Sequence, residues 1–221
     1  MIQKTIHCWL FLVLLFCSAA TPAQEHGGLL LLAHGVEPEP SQRSTLWNKN
    51  VARLAEQLNE KFPTEVAFGK AMDDHPLVSE ILLERALAMG TSPEKTTVIL
   101  IAHGPNTEEE NRRWLEDLAT HAHYLHRQGR FHEVRYLTHR TDAPEAIRAR
   151  AREAFRTAAQ EASYHGKAVV IPVLLSAGGI EGAIRNDLKG LTFHFGQPPL
   201  PHPNVQRWVE AQYYQLTGQS F

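Results

Sequence analysis

The sequence predicts an α/β protein of doubly wound parallel sheets, built as two duplicated halves that share one sheet or pack as a tight pair. Three observations carry this expectation. Short apolar runs such as Val98-Ile99-Leu100-Ile101-Ala102 are continuous instead of alternating, as strands covered on both faces are. Stretches with apolar residues near helical spacing lie between them, for example Val51 to Leu58 and Ala146 to Phe155. The chain also repeats itself. Leu29-Leu30-Leu31-Leu32-Ala33-His34-Gly35 matches Val98-Ile99-Leu100-Ile101-Ala102-His103-Gly104 at an offset of 69, and Asp74-His75-Pro76 matches Asp142-Ala143-Pro144 at an offset of 68.

The chain begins with Lys4, an apolar run from Cys8 to Cys17 and small residues ending in Thr21-Pro22-Ala23. That order predicts a signal peptide over 1–23 and a periplasmic or secreted protein. The run is too short to span a bilayer. Phe16 stands where a lipoprotein signal has a small residue before its cysteine, which favours cleavage after Ala23 over lipid attachment; an uncleaved anchor is the alternative. Both cysteines fall in this segment, so the remaining 198 residues have no disulfide and no thiolate, and any metal falls to histidine, carboxylate or water. The net charge of −2 and the lack of a basic stripe argue against a nucleic-acid partner. No further membrane segment follows, so no stable membrane insertion is expected after cleavage, and an oligomer is left open.

The first half, 24–95, is the shorter, with strands expected at 29–33 and 65–69. The second, 96–221, is fuller, with strands expected at 98–102, 134–138, 168–174 and 191–195 and a final helix. Helices between successive strands give right-handed crossovers. Ligands in such sheets sit beyond the carboxyl ends of the strands.

His34 and His103 fall at those ends, and the glycine after each lets the chain turn without covering the imidazole. A structural role, with the ring bonded to a neighbouring loop, is the competing reading. The turn Gly178-Gly179-Ile180-Glu181 reaches the same edge and is expected to set Glu181 opposite His103; alternatively it only starts a helix, with Glu181 near its positive end. An imidazole facing a carboxylate can hold a divalent cation loosely and pass protons. His103 and Glu181 are thus the catalytic candidates, His34, His103 and Glu181 the metal candidates, and His75 and His139 a second line at the ends of the second strand of each half. His121, His123 and His126 read as a solvated helix face, and His202, between two prolines, as a rigid surface turn. Trp47, Phe68, Trp114 and Tyr136 are either cleft walls or plain core.

Val98 to Gly104, with Ala-His-Gly at its end, and Pro172-Val173 running on to Ile180-Glu181 and Asp187 resemble the two signature regions of class II tetrapyrrole chelatases. These are the ferrochelatases and the sirohydrochlorin cobalt or nickel chelatases of the CbiX and CbiK type. The stretch Phe195 to Pro203 is similar to their C-terminal part, so the resemblance covers most of the chain after residue 23. It implies two similar α/β halves around a cleft and insertion of a divalent metal, cobalt, nickel or iron, into a tetrapyrrole without nucleotide. It also implies that His103, and by the repeat His34, binds the metal or takes pyrrole protons, and that Glu181 is the glutamate paired with that histidine. Ile180 stands where the CbiX pattern has a second histidine, which removes a metal ligand.

No Gly-x-Ser-x-Gly, phosphate loop or dinucleotide glycine motif occurs, which sets aside serine hydrolases and nucleotide enzymes. Two functions of different class follow: a chelatase inserting a divalent metal into a tetrapyrrole such as sirohydrochlorin, and an exported carrier of metal or tetrapyrrole on the same fold without turnover.

Overall fold

The structure, a computed structural model, describes Gln57, Glu60, residues 71–175 and residues 177–218. The expected signal segment, the strands at 29–33 and 65–69, and His34, Trp47 and Phe68 lie outside the described residues. Met72–Val209 form one compact unit, which contains the four strands found among the described residues.

Helix α1, Pro76–Leu87, opens on a proline and on His75, whose Nδ1 accepts the Leu77 N–H at 3.2 Å. The other Asp-x-Pro landmark also opens a helix, since Pro144 precedes α3, Glu145–His165. Between them lie β1, Thr96–Ala102, helix α2, Glu108–Gly129, and β2, Glu133–Thr138. Thr107 caps α2 by accepting the Glu110 N–H, and Glu108, Glu109 and Glu110 lie in its positive first turn. The chain continues through β3, Lys167–Val173, helix α4, Gly179–Asp187, β4, His194–Phe195, and helix α5, Pro203–Thr217.

The four strands are parallel in the order β2-β1-β3-β4. Central β1 is buried along its whole length, as its unbroken apolar run requires, while edge strand β2 carries Glu133 and Arg135 and is only partly covered. Alternate residues of the sheet feed two cores. Val98, Leu100, Val169 and Ile171 pack with Leu82, Leu118 and Leu125 of α1 and α2; Ile99, Ile101 and Val170 pack with Phe155, Ala159 and Ile184 of α3 and α4. Helices on both faces make the doubly wound α/β arrangement that the sequence predicts.

Two details differ from expectation. Strand β4 has two residues instead of the five expected at 191–195: Leu191 and Phe193 turn into the second core, and the Thr192 carbonyl accepts the Ser163 hydroxyl of α3 at 2.6 Å in place of a ladder bond. His121 is buried, 1% exposed, not solvated. It lies on the apolar stripe of α2, where one ring nitrogen meets the Asp73 carbonyl at 2.7 Å and the other the Ser79 hydroxyl at 2.8 Å. A neutral ring donating from Nε2 and accepting at Nδ1 satisfies both contacts. Burial lowers its pKa, against the opposing pull of the Asp73 carbonyl and Asp74. His123 and His126 are exposed, as expected.

Burial, followed by the charges of Asp73, Asp74 and Glu116, raises the pKa of Asp117 on α2 from 3.8 to about 6. The folded state therefore holds a proton that the unfolded chain has lost, so this group's contribution to stability is present below pH 3.8 and is lost as the pH rises to about 6. Asp117→Asn is expected to gain stability over the parent at neutral pH and none in acid. Urea midpoints at the two pH values measure it; an equal change at both contradicts the assignment.

Candidate functional site

The site is built on the carboxyl ends of β1 and β2. Ala102 and Thr138 are register partners, so His103 and His139 leave the sheet side by side. The His139 N–H donates to the Ala102 carbonyl at 2.8 Å, and the Arg140 N–H to the His103 carbonyl at 2.6 Å, which extends the pairing past the strands. Gly104 has φ +76°, and a Cβ there would come within 2.5 Å of the Thr138 Cβ, so the chain turns away from β1 only because this residue has no side chain.

His103 is 26% exposed and its Nε2 lies 3.2 Å from Oδ2 of Asp142, which is 62% exposed. Burial is the largest influence on its imidazole and lowers its pKa; His139 pushes the same way, while the charge and hydrogen bond of Asp142 pull back part of the change. The neutral form is therefore favoured near neutrality. With Nε2–H directed at Asp142, the lone pair sits on Nδ1, and among the described residues no hydrogen bond engages that atom. A neutral imidazole oriented by a carboxylate, with one nitrogen left open, can accept a proton or hold an exchangeable cation.

The other candidates among the described residues have partners of their own. His139 is buried, its Nε2 2.7 Å from Oδ2 of Asp187 on α4 and its Nδ1 2.8 Å from the Thr141 hydroxyl, so both ring nitrogens are engaged. The Nδ1 of His75 caps α1. Glu181 starts α4 at the same sheet edge as His103, but its carboxylate takes the guanidinium of Arg185 one turn on, at 2.9 and 3.1 Å; the carboxylate His103 meets is that of Asp142. The helix-start reading thus describes the local geometry of Glu181. Ile180 is partly buried against the second core. Trp114 packs partly buried against the first core, and Tyr136, 38% exposed, stands on the edge strand. His202 is largely covered: its Nε2 lies 2.9 Å from a Glu84 oxygen and its Nδ1 accepts the Asn204 N–H.

Asp142 was visible in the sequence only as half of a repeat landmark. The signal for its role was its position: it falls four residues beyond β2, as His103 falls one beyond the neighbouring β1. Arg140 gave no sequence signal at all. Among the described residues no group of three or more His, Cys, Asp or Glu side chains could hold a metal ion, and no helix is long and apolar enough to cross a membrane.

The described residues define an α/β protein with a parallel sheet and helices on both faces, and its fold is similar to that of solved SirB structures. SirB from Bacillus subtilis with Fe3+ matches with a TM-score of 0.57 and 18% identity, over 78% of this chain and 68% of its own. The sirohydrochlorin chelatase SirB from Bacillus subtilis subspecies spizizenii in complex with cobalt matches with a TM-score of 0.51 and 16% identity, over 82% and 68%. At these identities the likeness is one of fold. No protein-family profile and no curated protein matches the sequence.

Proposed function

We propose that this protein inserts a divalent metal, cobalt, nickel or iron, into a tetrapyrrole such as sirohydrochlorin, with His103 as the group that receives a pyrrole proton or passes on the metal. The observation that carries the reading is the His103–Asp142 pair at a strand tip, with Nδ1 open among the described residues, on a fold that chelatases use. Insertion requires two pyrrole protons to leave while the cation sheds water. A neutral imidazole backed by a carboxylate suits proton acceptance, and a site of few ligands suits release of the metal. Glu181 and His34 stay in the proposal as further metal-directed residues at their respective positions. The duplication into 24–95 and 96–221 and export by the segment 1–23 belong to the same reading, the former supported by the two Asp-x-Pro landmarks that each open a helix.

The test is to mix purified protein with sirohydrochlorin or a porphyrin and Co2+ and to follow the absorption spectrum. Insertion faster than the spontaneous rate supports the proposal; a rate equal to the spontaneous one ends it. Calorimetry separates the carrier function, for which tight stoichiometric uptake of metal or haem without turnover is the mark.

A further inference from the structure

We infer that Arg140 is a positioning residue that fixes His103 and Asp142 against each other. The inference rests on the proposed function for its catalytic meaning, but its geometric content stands alone.

Arg140 is 5% exposed and adopts φ +56°, a left-handed conformation that non-glycine residues seldom enter. Its contacts hold it there. Its N–H donates to the His103 carbonyl at 2.6 Å, and its carbonyl accepts the Ala143 N–H at 3.1 Å, closing the turn that carries Asp142. One peptide unit on each side of Arg140 is thus bonded to one partner of the His103–Asp142 pair or to the turn that holds it. The side chain then folds back over the loop after His103. Nε donates to the Pro105 carbonyl at 3.0 Å, Nη2 to the Asn106 carbonyl at 3.2 Å, and Nη1 meets Oε1 of Glu108 at 2.9 Å. A Cβ on Gly104 would stand 3.0 Å from Cγ of Arg140, so the two positions are fitted to each other.

A planar fork with several donors can serve two successive carbonyls and a carboxylate at once; a lysine ammonium on a flexible stem cannot hold that geometry. A buried guanidinium used only for packing could be exchanged for an apolar side chain with little loss. Here the cation spans the two segments whose separation sets the 3.2 Å contact between His103 and Asp142.

The experiment is a mutant cycle on the labelled full chain, read at one neutral pH as the position of the His103 ring Cε1–Hε1 resonance. Asp142→Asn is expected to move that resonance in the parent protein, and in Arg140→Lys the same substitution is expected to leave it where it was. A purely structural role for Arg140 lowers the melting temperature but leaves the response to Asp142→Asn intact, and that result overturns the inference. Should Arg140→Lys fail to fold, Arg140→Gln removes the guanidinium and with it the grip on the Pro105 and Asn106 carbonyls; a reduced response in that background supports the inference and an unchanged one overturns it. If the parent inserts metal, Arg140→Lys should lower kcat by up to about a hundredfold at unchanged KM for Co2+. A parent without insertion defeats the chelatase proposal and leaves the resonance cycle to decide the role of Arg140.

Discussion

Replacing His103 by alanine is expected to lower the rate of metal insertion by about 10²- to 10⁴-fold, the range a positioned general base contributes, while the protein stays folded. The side chain is partly exposed at a strand tip and belongs to neither core, so its loss leaves the packing of β1 intact. The pH profile of the parent gives a second check. The free-base form is the active one in this account, and burial places its ionisation below the ordinary imidazole value of 6.5. Activity should therefore persist below pH 6.5 and fall only as the pH passes through the lowered value. Asp142 opposes that lowering, so Asp142→Asn should push the acid limb still lower. A profile that collapses above pH 6.5 would mean that His103 is not the group being titrated.

Phe155→Ala carries the largest expected effect on stability, a loss of about 3–5 kcal/mol. Phe155 is fully buried on α3, where it packs in the second core with Ile99, Ile101 and Ala159. Its ring also stands edge-on to His139, with centroids 6.3 Å apart at 89°. The cavity would therefore open beneath the His139–Asp187 pair, which links the tip of β2 to the C-terminal end of α4. Arg156 of α3 donates to the Asp187 carbonyl, so α3 and α4 would both feel the change. Denaturant titration measures the loss. A change below about 1 kcal/mol would show that the second core is not organised around this ring.

Strands β1 and β3 were legible because strands buried on both faces leave unbroken apolar runs, and both fall within two residues of the expected limits. The place of His103 followed from the same pattern, since the residue after a buried strand in an α/β sheet meets the ligand edge. Its partner did not follow. Glu181 and Asp142 lie in loops or helix starts on the same edge, and which carboxylate reaches the imidazole depends on turn geometry that residue types do not encode. The Arg185 one turn beyond Glu181 was a visible rival for that carboxylate. His121 could also have been placed: with Leu118, Ala122 and Leu125 it continues a helical stripe at spacings of three and four, so burial is the simpler expectation for it. Arg140 lay beyond sequence reasoning altogether, because its left-handed backbone and its carbonyl partners arise only when β1 and β2 are paired.

Titrating the isotope-labelled protein with Co2+ while watching every histidine ring shows whether His103 is the residue that meets the metal. The His103 resonance should be the first to broaden and shift, below one equivalent of metal, with His139 and His75 following only weakly because their Nδ1 atoms are engaged. First response at the exposed His123 and His126 of α2, with His103 unmoved, would contradict it.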